Sequence, residues 1–190
     1  AEKCRGRALE TGADIDRERA LPWVATWGLV ALEALERGLP GEMFDRAIDR
    51  HDAFDIPPGR SIRHTYHARL AKTYGALERC NAASELDDGS MSRLEAAIEE
   101  IEALASDELM ESHLLTAKGG RDRIAGDWES AREHLERAQE LGASSENRWA
   151  RFVAVREEAR LLSDRRRENA ARSRAEEARS IASEAGWEGR

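Results

Sequence analysis

Residues 115–141 read LTAKGGRDRIAGDWESAREHLERAQEL, and their spacing decides the fold. In the second half, Trp128, Ala131, Leu135, Ala138 and Leu141 recur at intervals of three and four, one stripe of an α-helix with charge on its other faces. Asp127 stands in front of that run, with Glu129 in the first turn. There a carboxylate accepts hydrogen bonds from amides that lack a helical partner. Gly126 separates this run from an earlier one, Leu115 to Ala125, and reads as the residue just past a helix end. Small residues at Gly119 and Ala131 would let two helices approach closely, with Trp128 and Leu135 filling the gap beside them. The stretch therefore predicts a helical hairpin. Trp128→Ala and Ala131→Leu should each destabilise it by about 2–4 kcal/mol, the first through a cavity and the second through overpacking.

The rest of the chain has the same character. Of its 190 residues, 32 are Ala, whereas Val, Ile and Thr together number 17. Ala is the best intrinsic helix former and β-branched residues are what a sheet needs, so the chain is all-α. Break signals at Thr11–Asp14, Gly38–Gly41, Asp55–Gly59, Asp87–Ser90, Gly142–Ser145 and Gly186 help divide it. About nine helices result: 1–11, 15–37, 41–54, 60–79, 90–105, 107–124, 127–141, 145–163 and 167–185. Ser90 or Ser92 opens the run Leu94, Ile98, Ile101, with Glu95 three residues after Ser92 at the spacing of a capping box, and Gly142 and Gly186 read as C-cap glycines. The run 21–35 is apolar nearly all round and should be covered on several sides, unlike the one-sided helix 127–141. Such a mixture suits stacked antiparallel helical hairpins.

Internal repetition sharpens this. Leu115, Gly119, Gly126, Trp128, Ala131, Leu135 and Ala138 fall at the spacing of a tetratricopeptide repeat. Two positions depart from that pattern: Asp122 stands where an aromatic residue is usual, and Ala143 replaces the closing Pro. Taking Ala47, Ala97, Ala131 and Ala171 as equivalent gives intervals of 50, 34 and 40 residues, of which one matches the 34-residue period. The chain also carries Leu21-Pro22-Trp23 within an apolar helix, Asp55-Ile56-Pro57-Pro58 before the next, the segment Ala125 to Ala131, and a closing segment Ala178 to Gly186. With these features the whole chain resembles the irregular tetratricopeptide-like region of LuxR-type, MalT-like bacterial transcriptional regulators, the signal-transduction ATPases with numerous domains.

The resemblance implies a single array over 1–190, a TPR-like α-solenoid cut from a longer cytoplasmic protein. It implies a non-enzymatic role in signal transduction: a protein, peptide or small effector binds on a concave helical surface and biases neighbouring domains of the same chain. In such regulators an ATPase switch and a helix-turn-helix flank the array. Neither a phosphate-loop pattern nor a recognition helix is legible in these 190 residues. A stand-alone tetratricopeptide-type adaptor is the alternative reading. A helical-bundle metalloprotein or enzyme using His51, His64 and His67 is the third.

Charge and side-chain chemistry set further expectations. A formal charge of −8 argues against direct nucleic-acid binding by this segment. Cys4 and Cys80 do not make a disulfide framework, which favours a reducing cytoplasm. The longest nearly apolar stretch, Leu21 to Leu35, has 15 residues. A membrane helix needs about 20, so no membrane span is expected. His64 and His67 lie one turn apart near His51 and Cys80, but without the tight ligand spacing of a zinc site, so neither metal nor cofactor is expected. Glu99-Glu100, Glu157-Glu158 and Glu176-Glu177 are helix neighbours that point about 100° apart, hence solvated faces rather than an acid/base pair. Arg165-Arg166-Arg167, with Arg160, Arg172 and Arg174 around it, is the densest basic cluster: a solvated turn, or a docking patch for an acidic partner. Trp23 and Trp27 share a helix face and are expected in the core, with a groove-lining role as the alternative.

Overall fold

The computed structural model describes residues 17–37, 40–54, 62–83 and 87–187, except for the side chains of 17–21 and 62–64. The expected helix 1–11 and the break at Asp55–Gly59 lie outside them. Among the described residues there are eight helices and no strand. They are α1 (Arg17–Glu36), α2 (Glu42–Asp52), α3 (Ile62–Ala82), α4 (Asp88–Glu102), α5 (Glu108–Ala125), α6 (Trp128–Ser144), α7 (Arg148–Asp164) and α8 (Glu168–Glu184).

The helix starts follow from short polar side chains. Asp107, Asp127 and Asn147 precede α5, α6 and α7, and each accepts a hydrogen bond from the amide three residues on. For α4 the cap is Asp87, whose carboxylate accepts from the Ser90 amide at 2.6 Å. The capping box expected at Ser92 is therefore displaced by an earlier aspartate, and the helix begins sooner. Gly126 ends α5 in the left-handed region at φ 81°, as its place in the sequence suggests. Gly142, expected to do the same for α6, is instead helical and buried, and α6 runs on to Ser144. A Cβ on Gly142 would sit 3.0 Å from the Arg151 amide nitrogen, so this glycine serves the approach of α7 rather than a turn.

The packing order is regular. The odd helices touch in succession, α1 on α3, α3 on α5 and α5 on α7. Helices α2, α4 and α6 each pack on the odd helices before and after them in the chain, and α8 packs on α7. No two even helices touch among the described residues. Gly28 of α1 lies against the α3 backbone, where an added Cβ would come within 2.7 Å of the Ala68 nitrogen. The core threads through the odd helices: Val24 and Ala31 from α1, Leu70, Tyr74 and Leu77 from α3, Ala117 from α5, and Val153 and Val155 from α7 are all essentially buried.

The diagnostic hairpin is α5–α6. Ala131, Leu135 and Ala138 are fully buried, and Gly119 faces Leu135 so closely that a Cβ would lie 2.7 Å from its Cγ. Leu115 is half-buried. Trp128 differs from expectation. It is the first residue of α6 and 36% exposed, because α5 has already ended at Ala125 and offers it no wall. Trp128→Ala should consequently cost about 1–2 kcal/mol, less than truncation of a fully buried side chain, because 36% of the residue is already in water. A chemical denaturation midpoint as low as that of Leu135→Ala would contradict this placement. Asp122, the departure from the aromatic pattern, is buried between α5 and α6, where Arg121 (2.6 Å) and His134 (2.8 Å) engage its carboxylate. Of the four alanines taken as equivalent, Ala47 and Ala131 are fully buried. Ala97 and Ala171 are half-buried.

Candidate functional site

The region where the odd helices meet carries two distinct polar arrangements. Towards the C-terminal ends of α3, α5 and α7 lies an ionic cluster. Glu78 of α3 accepts hydrogen bonds from Arg156 (3.0 Å) and Arg160 (2.9 and 2.8 Å) of α7. Arg160 also reaches Glu157 at 2.5 Å, and Glu157 is fully buried. Arg123 of α5 bonds Asp164 at 2.6 Å, bonds the Asn81 side-chain oxygen, and stands 3.7 Å from Glu157. Burial pushes the Glu78 carboxyl up, but the Arg160 hydrogen bonds and the charges of Arg156 and Arg160 outweigh it and hold its pKa below the ordinary carboxylate value. Burial likewise opposes the Arg160 charge, and the carboxylates of Glu157 and Glu78 overcome it and hold the guanidinium firmly protonated. Three cations and three carboxylates thus balance, and they join three helices. Such a cluster positions helices; it offers no uncompensated charge for catalysis.

The expectation for Glu157-Glu158 is corrected here, since Glu157 is interior rather than solvated. The signal was present: Val153, Glu157 and Leu161 follow one another at intervals of four and all are buried. Arg160 likewise leaves the basic cluster to which its sequence position assigned it. Arg165, Arg166 and Arg167 form the exposed turn between α7 and α8, with Arg166 at φ 56°. Among the described residues no side-chain hydrogen bond or ion pair holds these three.

Towards the N-terminal ends of α3, α5 and α7 the same region opens into a cavity of about 340 Å³. Leu29, Leu32, Glu33 and Glu36 of α1 line one side. Tyr66, His67 and Leu70 of α3 face Leu109 and His113 of α5, and Trp149 and Trp187 complete the wall. Behind it, Tyr74, His113 and Trp149 pack ring against ring, with centroids 5.8, 5.3 and 4.8 Å apart. Tyr74 Oη and His113 Nδ1 share a 2.9 Å hydrogen bond, and the Trp149 indole donates to Glu36 at 2.7 Å. That last bond ties α1 to α7 across 113 residues of sequence. The cavity's volume lies at the lower end of the range of about 300–1,000 Å³ that small-molecule sites occupy.

Burial shapes the titration of this wall. It raises the Tyr74 phenol and drives the His113 imidazole down to about 3, so both are neutral at physiological pH. The half-buried His67 is lowered by the same cause. The unfolded chain protonates these imidazoles near 6.5, whereas folded His113 does not accept a proton until about 3. Their stabilising contribution is therefore complete above pH 6.5 and drains as the pH falls towards 3, at up to about 1.4 kcal/mol per pH unit for one group. Urea midpoints at about pH 7.5 and about pH 5 should show this loss, and His113→Gln should flatten it. An unchanged pH dependence in that variant would contradict a buried neutral imidazole.

The remaining expected site residues are scattered. His51 is buried on α2 and bonds Asp52 at 2.9 Å, while His67 sits at the cavity and the side chain of His64 lies outside the described residues. Among the described residues no three His, Cys, Asp or Glu side chains could hold a metal ion together. Cys80 is a buried free thiol, and Cys4 lies outside the described residues. Trp23, expected in the core, is 47% exposed, and Trp27 is half-buried against the core. The tryptophans that line this cavity are Trp149 and Trp187, and only sequence-distant packing brings them there. Among the described residues no helix is long and apolar enough to cross a membrane. Comparison with family models, curated proteins and solved structures finds no match.

Proposed function

We propose that this chain is a tetratricopeptide-like α-solenoid that captures a small effector or a peptide side chain where its odd helices meet, without catalysing a reaction, as part of a cytoplasmic LuxR-type signalling regulator. The observation that carries the reading is the composition of the cavity. Four odd helices contribute its walls, and no single hairpin contains it. A ligand seated there touches α1 and α7 together, so its binding energy acts on how the hairpins stack. That is the coupling a sensing array needs to bias a neighbouring domain. The regular packing of odd helix on odd helix, with each even helix against its odd neighbours in the chain, supports the solenoid reading. The Gly119–Leu135 approach supports the hairpin repeat.

The test is a thermal-shift screen of a metabolite panel and a panel of short peptides against the wild-type chain and Leu109→Trp, which fills the cavity. Compounds that raise the melting temperature of the wild type but not of the variant are the expected result. Stabilisation that persists in Leu109→Trp, or none across both panels, would overturn the reading.

A further inference from the structure

We infer that the cavity between the odd helices is a site for an organic cation, a small molecule carrying one ammonium group on an apolar body; the inference rests on the effector-binding reading and names the effector's chemistry. The chain has 30 Lys and Arg residues, yet none is among the described residues that line this cavity, whereas two carboxylates, Glu33 and Glu36, are. Three aromatic side chains, Tyr66, Trp149 and Trp187, stand in the same wall. Aromatic rings beside carboxylates favour a desolvated ammonium, because the ring quadrupole attracts a cation without demanding that it be rehydrated. Leu29, Leu32, Leu70 and Leu109 receive the apolar body.

Competing charges are weaker. The N-terminal ends of α5 and α7 also face the cavity through Leu109 and Asn147, and each carries about half a positive charge. Against that stand the carboxylates of Glu33 and Glu36, with Glu36 at the negative, C-terminal end of the α1 dipole. The histidines add no opposing charge, since burial lowers His113 and His67 alike. Glu33 shares an i,i+4 pair with Arg37 at 2.5 Å, with both side chains more than half exposed, an interaction that solvent screens and a ligand displaces readily. Glu36 accepts from the Trp149 indole through one oxygen, which fixes the carboxylate beside the ring.

The experiment compares n-hexylammonium, 1-hexanol and hexanoate, which share an apolar body and differ in charge, by calorimetric titration and tryptophan fluorescence on the full chain. Hexylammonium should bind at least about tenfold more tightly than hexanol, with hexanoate weakest. The double substitution Glu33→Gln/Glu36→Gln should remove that preference. Its second change keeps an amide oxygen to accept from the Trp149 indole, so the wall stays in place. Tyr66→Leu tests the ring contribution independently and should weaken hexylammonium more than hexanol. Equal or tighter binding of hexanol or hexanoate overturns the cation assignment while leaving an effector pocket where the odd helices meet. No binding of any of the three overturns the pocket itself and the assignment with it.

Discussion

Glu78→Ala is expected to lower the free energy of unfolding by about 3–5 kcal/mol, among the largest effects of any single substitution in this chain. Glu78 is 7% exposed and accepts from two guanidiniums of α7, so its removal leaves Arg156 and Arg160 with Glu157 alone. The deleted group is then not merely one bond of a pair. It is one of the carboxylates by which three cations and three carboxylates balance, and it stands with Glu157 and Arg123 on the buried side of that cluster. A buried ion pair adds modest net stability when intact, because desolvation cancels much of the attraction, but half of one is costly. Glu78→Gln, which keeps the shape and an acceptor, should fall between wild type and the alanine variant. Equilibrium denaturation in urea measures all three, and a loss below about 1 kcal/mol in Glu78→Ala would show that the cluster is solvated. The pH response follows the same carboxylate. Its folded pKa lies below its ordinary value, so its contribution is whole above the unfolded pKa of 4.5 and drains as the pH falls through the folded value. The acid limb of the stability curve should therefore be shallower in Glu78→Ala.

Leu135→Ala should cost about 2–5 kcal/mol, and Gly119→Ala should cost less than a cavity does yet still destabilise. Leu135 is fully buried, and truncating it opens a void between α5 and α6 that close-packed neighbours cannot collapse. Gly119→Ala puts a Cβ 2.7 Å from Leu135 Cγ and 2.9 Å from its Cδ2. The overlap forces the leucine or the helix to move, against a helix-propensity gain of about 1 kcal/mol. Because the two sites share one volume, their effects should not add. In Leu135→Ala the two nearest obstructing atoms are gone and the Ala131 carbonyl oxygen, 3.2 Å away, remains, so Gly119→Ala should then cost much less, and the double variant should lie well above the sum of the singles. A double-mutant cycle with a coupling energy below about 0.5 kcal/mol would deny the close approach of α5 and α6.

Much of the helical framework is legible in the residues alone. Asp127 reads as a cap because an aspartate before an amphipathic run has local amides to satisfy, and Gly126 reads as a helix end for an equally local reason. Ser90 and Ser92 mislead because a serine at capping spacing does not reveal that an earlier aspartate, Asp87, reaches the free amides first. Trp128 misleads because stripe membership says which face a residue occupies, not whether the partner helix extends that far. Glu157 reads as solvated from the character of its neighbour pair, although its interval of four from Val153 and Leu161 places it on the buried stripe. The cavity is not legible at all. Its walls come from Leu29 to Trp187, and no period in the sequence links a tryptophan of α7 to a glutamate of α1.

Residue order alone makes the chain helical, marks where most helices begin and end, and brings Gly119, Ala131 and Leu135 together in a hairpin. These outcomes depend on propensity, capping and side-chain size over one or two turns, which act between residues near in sequence. Assembly of the helices is what gives Glu78 and Glu157 arginines from other helix turns, leaves Trp128 only partly covered, and brings Tyr66, Trp149, Glu33 and Glu36 to one cavity. Those outcomes depend on how four helices cross. A crossing is set by summed packing over all of them and leaves no local trace in any one.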